Sequence, residues 1–358
     1  MIMNKEISIL FYVISFMASS FIFKFSYKSK YPNFFKWMAI LIPLLIAGCR
    51  KNVGTDYIGY VNAFYFPMRH NSIFMSFSKE YGFLILVKIA AVFNNYKIMF
   101  FLSELIILVV LKKIIDESFI KEKYLIYLLY LYIFYLESLN IGRQHIALVF
   151  YLYSIKYIFK KNLLKYTLTL VLGSLFHTSI LLVFPMYFIY NFLLLGEKYK
   201  RVKKVILFGI QIFLLIFVFY YREIIVLGIQ FFPKFKHYFL YSEEKIGGSK
   251  NLIVWMKLFF VFSILLVKKR LIKINDKNKF FIYGILIDLT ISFIGFYQIY
   301  LKRLFLYFFI NYIFLFPQLI EIVKEKWVIK MIILVIAVSF CILNFYILGH
   351  SKVIPYQI

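Results

Sequence analysis

The chain has 358 residues, 63% of them hydrophobic and 22% aromatic, with a mean hydropathy of +0.83. Such a composition excludes a soluble globule. The formal net charge of +27, from 43 Lys and Arg against 16 Asp and Glu, sits in short loops between apolar runs. It therefore reads as the loop charge of a membrane protein and not as a nucleic-acid surface.

Apolar runs of about 15 to 20 residues recur along the chain, and at that length only helices satisfy the backbone inside lipid. The alternation expected of a membrane β-barrel is missing. No stretch is long and polar enough for a separate soluble domain. The expectation is one all-α, polytopic transmembrane domain over 1–358, with about 12 transmembrane helices. In chain order the predicted spans are 7–23, 34–49, 97–111, 124–139, 143–159, 163–177, 178–195, 205–221, 251–267, 280–300, 304–320 and 329–348. The first run lacks a basic leader and a small-residue cleavage site, so it is read as a retained span. Segment 81–93 is apolar but short and carries Lys88. Cys49 and Cys341 form neither a disulfide framework nor a metal-ligand cluster. No internal repeat is visible, which disfavours the two-halved transporters.

Loop charge sets the orientation. Loops 24–36, 160–165, 196–204 and 268–279 are strongly basic, and loop 112–123 is mixed. The positive-inside rule places all five in the cytoplasm. That parity makes 81–93 a re-entrant or interfacial segment. The opposite face then receives two long loops, 50–80 and 222–250, together with the turns near 138–143, 177–178 and 301–303 and the tail. Long external loops on a compact bundle usually carry function.

Candidate site residues follow from that face. Arg50, Thr55, Asp56 and Tyr57 open loop 50–80, with Gly54 allowing a turn that brings Thr55 and Asp56 back toward Arg50. The alternative is an arginine snorkelling at a span end and an aspartate capping a helix. Glu80 precedes Tyr81-Gly82 and would hold an arginine or bind sugar hydroxyls, or else face a helix dipole. Arg143 and Gln144 sit at an external span start, where the guanidinium fork suits a phosphate; an interfacial anchor is the alternative. His177 lies between two apolar runs and is a general base, a phosphate ligand or a histidine satisfied by a helix end. Tyr238 and Gly247-Gly248 fall in loop 222–250, and Arg303 begins another external span. Asp288 lies inside span 280–300 without an obvious sequence partner. Several cations collected on one face point to an anionic ligand such as a lipid-linked pyrophosphate.

These pieces resemble the EpsG family of polysaccharide polymerases, related in role to the Wzy-type O-antigen and capsule polymerases. The resemblance rests on Arg50…Val53-Gly54-Thr55-Asp56-Tyr57…Tyr60, Glu80-Tyr81-Gly82-Phe83, Arg143-Gln144…Ala147 and Phe176-His177-Thr178-Ser179. It continues with Tyr238, Gly247-Gly248, Arg303…Tyr307-Phe308 and Pro355-Tyr356. It covers nearly the whole chain, and the Gly-Thr-Asp-Tyr stretch is its most specific part.

The resemblance implies an integral-membrane glycosyltransferase, a bundle of the GT-C-like kind. It would join repeat units carried on undecaprenyl pyrophosphate at the outer face of the bacterial cytoplasmic membrane. It implies no cofactor, no metal and no nucleotide sugar, with Arg50, Arg143 and Arg303 stabilising the leaving pyrophosphate. Thr55, Tyr57, Glu80, Gln144 and Tyr238 complete the substrate-binding set. Asp56 and His177 are the catalytic candidates; Asp56 is favoured as base and His177 as a phosphate ligand or its support. The implied partners are the lipid-linked oligosaccharide, the bilayer and a chain-length regulator. The competing readings are a flippase for the same lipid-linked oligosaccharide and a membrane acyltransferase of polysaccharide.

Overall fold

The computed structural model describes residues 2–70, 80–194, 251–294 and 306–358, with isolated positions between 199 and 220. The described secondary structure is helical, apart from one isolated bridge between Ile2 and Gln357. Loop 222–250, with Tyr238 and the Gly247-Gly248 pair, lies outside the described residues, as do Arg303 and most of span 205–221. The chain divides into two compact units, Met1–Phe184 with Ile313–Ile358, and Pro185–Tyr312.

In the first unit, α1 (Lys5–Ser26) and α2 (Pro32–Cys49) pack together. α3 (Tyr57–His70) and α4 (Tyr81–Val92) precede α5 (Lys97–Glu117). α6 runs over 123–138 and widens to a π turn at Leu131–Tyr135. α7 (Gly142–Phe159) packs on both α5 and α8 (Leu163–Ser174). A 3₁₀ segment, Thr178–Val183, follows α8. The second unit contains α9 (Met186–Leu193), α10 (Asn251–Ile274) and α11 (Asn278–Ile294). α12 (Tyr312–Leu319) leads back into the first unit, where α13 (Lys326–Cys341) continues as a π segment to Ile347.

The helices are apolar outside and partly polar inside. α1 buries Ser8, Ser19, Ser20 and Ser26 beside Tyr12 and Phe16, and exposes Leu10, Ile14, Met17 and Phe21. That is the arrangement of a helix whose solvent is lipid, where hydroxyls and small side chains make the contacts between helices. The α1–α2–α6 seam shows the logic. Pro43 sits inside α2 and has no N–H, so it leaves the Ala39 carbonyl without its helical donor. Ser19 Oγ donates to that carbonyl at 2.7 Å, and Tyr127 Oη reaches it at 3.3 Å. Tyr135 Oη donates to the carbonyl of Pro43 itself. The backbone carbonyls of Ala39 and Pro43 are thus satisfied by Ser19 of α1 and by tyrosines from α6.

Three helices among the described residues are long and apolar enough to cross a membrane, namely Lys5–Ser26, Pro32–Cys49 and Lys326–Ile347. Several shorter apolar helices accompany them. The predicted spans 163–177 and 178–195 are not two continuous helices. α8 stops at Ser174, His177 is extended with φ −159° and ψ 122°, and the chain resumes as a 3₁₀ turn before α9. Pro185, just before α9, offers no N–H to bond back into the preceding segment. The basic loops are also shorter than the charge pattern suggests. Lys112 and Lys113 belong to α5, and Lys268, Lys269, Arg270 and Lys273 to α10, because lysine and arginine extend a helix readily. Loop 50–80 is no simple loop, since it contains α3.

The basic ends of the first unit lie together. Asp116 at the end of α5 meets Lys36 of α2 at 2.5 Å and Lys112 at 3.1 Å. Glu117 meets Lys156 of α7 at 2.8 Å, and Glu122 meets Lys330 of α13 at 2.6 Å. α7 then rises about 24 Å from its last residue, Phe159, to Arg143, at about 1.5 Å per residue. α4 both begins and ends at the far end. Its first turn bonds to Leu175, while the turn after it brings Tyr96 to Tyr57 and Lys97 to the Cys49 carbonyl.

In the second unit, α10 and α11 form a hairpin in which Asn278 Nδ2 donates to the Leu271 carbonyl at 2.7 Å. Lys257 of α10 supplies the partner that the sequence did not reveal for Asp288. Its Nζ lies 2.8 Å from Asp288 Oδ1 and 3.0 Å from Ser292 Oγ.

Candidate functional site

The site lies at the end of the first unit opposite its basic ends. It has two parts, a carboxylate cluster and a tight turn. A row of aromatic rings joins them.

Glu80 is the centre of the cluster. It stands just before α4, and its side chain does not cap that helix. One carboxylate oxygen pairs with Arg143 Nη1, and the other lies 2.7 Å from His177 Nδ1. An ionised carboxylate only accepts hydrogen bonds, so this contact places a ring proton on Nδ1, and in the neutral imidazole Nε2 is then the acceptor. The three side chains are each partly accessible, at 12% for Glu80, 22% for Arg143 and 30% for His177. The cluster is therefore shielded from bulk water but reachable.

Local sequence explains the meeting. Gly82 N–H donates to the Leu175 carbonyl at 2.8 Å. A Cβ at Gly82 would lie 3.0 Å from the Phe176 ring and 3.1 Å from the Leu175 carbonyl. Glycine thus allows α4 to press its first turn against the turn that leads into the extended His177. Arg143 stands at the start of α7, its guanidinium 5.4 Å from the ring centre of Tyr60 and 5.5 Å from that of Phe83. Stacked rings of this kind restrict the fork and reduce what it loses on binding an anion. Gln144 follows in the same turn and is buried.

The turn holds Thr55 and Asp56. Gly54 has φ +99°, a conformation that favours glycine, and a Cβ there would come within 3.1 Å of Asn140 Oδ1. Asn140 Oδ1 accepts from the Asp56 N–H at 2.8 Å and from Thr55 Oγ1 at 3.0 Å. Thr55 is exposed and Asp56 half-buried.

Arg50 is placed differently from the sequence expectation. It is buried, with its guanidinium 4.1 Å from the Phe100 ring centre and Nη1 donating to the Ala47 carbonyl at 3.0 Å. Glu104, also buried, accepts from Ser138 Oγ at 2.9 Å and interacts electrostatically with Arg50. The rings of Tyr57 and Tyr60 pack on Phe100, and Tyr60 packs on Phe83, which links Arg50's surroundings to Arg143.

Of the expected site residues, the structure brings Glu80, Arg143 and His177 into direct contact. It gathers Arg50, Tyr57 and Tyr60 behind them and places Thr55 and Asp56 on the adjoining turn. Tyr238 and Arg303 lie outside the described residues. One contributor escaped the sequence, and the contacts of another, named there only through Pro355-Tyr356, were not legible in it. Asn140 is a polar residue in the external turn 138–143, and that position alone could have flagged it. The segment 349–357 bonds to the backbone of the turn, and such bonds leave no side-chain signature. Among the described residues, no three His, Cys, Asp or Glu side chains group as a metal ion would need.

Apolar helices with a charged cluster at one end of the first unit define a helical membrane protein. Over residues 33–358 the chain matches the EpsG family, and it belongs to that family. No curated protein and no solved structure matches it. The membership, together with the apolar helices, points to a membrane protein of polysaccharide biosynthesis.

Proposed function

We propose that the protein is a glycosyltransferase that polymerises undecaprenyl-pyrophosphate-linked oligosaccharide repeat units into a surface polysaccharide. It would work as a bundle of about twelve transmembrane helices, with its site on the outer face of the bacterial cytoplasmic membrane. The observation that carries this reading is Glu80 holding Arg143 and His177 in one partly accessible cluster. That cluster lies at the end of the unit opposite the basic ends, the end that the positive-inside rule makes external.

In the proposed reaction, a sugar hydroxyl of the incoming unit attacks the anomeric carbon of the growing chain. The bond from that carbon to the pyrophosphate oxygen breaks, and undecaprenyl pyrophosphate leaves with the bonding pair. Arg143 stabilises the charge that develops on the leaving group. The hydroxyl proton goes to a base. The Glu80 contact supports His177 for that role, because a carboxylate on Nδ1 orients the ring and leaves Nε2 to accept the proton. The Asn140-held turn then suits Thr55 and Asp56 to binding the acceptor sugar. The burial of Arg50 under Phe100 supports a role in shaping the turn from behind.

The buried Lys257–Asp288 pair is the observation that a flippase reading would build on, since charges at membrane depth often mark a transport path. A knockout separates the readings. Loss of a polymerase leaves single repeat units on lipid or core. Loss of a flippase leaves no surface unit, and loss of an acyltransferase leaves full-length polymer. The direct test is purified protein with a lipid-linked repeat unit, with polymer read on a gel. A ladder from wild type that collapses in Glu80→Gln supports the proposal, and no ladder from wild type overturns it.

A further inference from the structure

We propose that the segment following α13, residues 349–357, is a brace that sets the position of Thr55 and Asp56, with Tyr356 as its positioning residue. The proposal rests on the reading of the turn as part of a glycosyltransferase site.

The chain reverses after α13 through Gly349, Ser351 and Lys352, all with φ between 48° and 61°. It then runs back along the turn. The N–H of Thr55 donates to the Ser351 carbonyl at 3.1 Å, and that of Gly54 to the Lys352 carbonyl at 3.1 Å. Lys51 N–H donates to the Gln357 carbonyl at 2.9 Å. Together with the Asn140 bond to the Asp56 N–H, these fix the turn from two sides. Without the segment, three backbone donors next to Asp56 would turn to water.

The segment has its own anchor. Tyr356 is buried, and its hydroxyl donates to the Ile46 carbonyl at 2.8 Å, one turn before Arg50. Its N–H donates to Ser8 Oγ at 2.9 Å. Its ring stacks on Phe11 at 5.3 Å, and Tyr12 Oη donates to the Val353 carbonyl at 3.1 Å. Further along, His350 Nε2 lies 3.3 Å from Glu137, three residues before Asn140. The anchor is thus set into α1 and α2, while the Ser351, Lys352 and Gln357 carbonyls accept from residues 51–55. Tyr356 touches neither the Glu80 cluster nor the Asp56 side chain in this arrangement. It acts through the backbone of residues 51–55.

The brace predicts a split in kinetic effects. Tyr356→Ala should raise KM for the acceptor unit about tenfold, as loss of a positioned sugar contact does, while kcat at saturating acceptor stays within a few-fold because Arg143, Glu80 and His177 are undisturbed. A covalent substitute should restore it. In a background with Cys49→Ser and Cys341→Ser, Lys51→Cys with Gln357→Cys should close a disulfide, since a direct backbone hydrogen bond places the two residues within its reach. Oxidising that pair in Tyr356→Ala should return KM for the acceptor unit to near the wild-type value, and reduction should remove the gain. Unchanged KM for the acceptor unit in Tyr356→Ala, or no rescue on oxidation, overturns the proposal. So does failure of the 51–357 pair to oxidise in the otherwise native chain, a measurement that survives if Tyr356→Ala does not fold. A readout independent of polymer is the labelling of a single cysteine at Thr55 by a maleimide, which should quicken several-fold with Tyr356→Ala. Faster labelling in a protein whose wild type makes no polymer would retain the brace and reject the glycosyltransferase reading. Unchanged labelling rejects the brace.

Discussion

The carboxylate of Glu80 lies 2.7 Å from the imidazole Nδ1 of His177, across 97 residues of chain. The contact exists because α8 ends early and His177 is extended, so the ring turns toward the start of α4 instead of continuing a helix. One carboxylate then serves two partners, His177 and Arg143, and ties three separate chain segments into one site. A cluster sharing a single carboxylate responds to that residue more than to either partner alone.

Glu80→Gln tests that dependence. The amide keeps the size of the side chain but carries no charge for Arg143, and it can present a donor to Nδ1 and turn the imidazole into the wrong tautomer. We expect polymer formation to fall by about 10²-fold or more at matched protein levels, with α4 still in place because Gly82 and Leu175 are untouched. Polymer formation near wild type would show that the cluster is a structural ion pair.

Arg143→Lys tests whether the guanidinium is used as a fork. Lysine keeps the charge but offers a single point donor and stacks poorly between Tyr60 and Phe83. The expected loss is about 2 to 4 kcal/mol of transition-state stabilisation, read as a fall in kcat/KM with lipid-linked substrate. Full activity in Arg143→Ala would reduce this residue to an interfacial anchor.

The parts of the site differ in how far the sequence revealed them, and the difference is physical. Arg143, Glu80 and His177 were legible because charges beside long apolar runs are rare and expensive. Their mutual contact was not, since it depends on where α8 stops, and an apolar run does not mark its own break. Arg50 was legible as unusual but not as buried, because a guanidinium laid on Phe100 beside Glu104 has the same sequence signature as one that faces water. Asp288 likewise had a partner 31 residues away, on a helix whose lysine looked incidental. Membrane character was plain from composition. The count of crossings was not, because lysines at helix ends and breaks such as the one at His177 blur each span's limits.

Labelling tests the orientation. Thr55 is exposed on the site end, and Lys160 is exposed just past α7 at the basic end. In a background with Cys49→Ser and Cys341→Ser, Thr55→Cys should react with an impermeant maleimide in intact cells, or in spheroplasts where an outer membrane is present. Lys160→Cys should react only after lysis. The reverse pattern would place the cluster in the cytoplasm, where lipid-linked repeat units are made and not polymerised.

The last prediction separates the base from the binder. Asp56→Asn keeps the size of the side chain but cannot take a proton, and its N–H remains held by Asn140. His177→Gln keeps a group that can bond to Glu80 but removes the imidazole. If His177 is the base, His177→Gln should lose about 10²- to 10⁴-fold in turnover while still binding lipid-linked substrate. Asp56→Asn should then act mainly on KM for the acceptor unit. The opposite split, with Asp56→Asn binding but inert and His177→Gln impaired in binding, would assign the proton to Asp56 and leave His177 as a pyrophosphate ligand. The sequence alone favours that second assignment, because Asp56 lies in the most specific stretch of the chain. The geometry argues the first, because among these two only His177 has a carboxylate placed to orient it. Normal polymer from both variants would remove this face of the protein from the chemistry altogether.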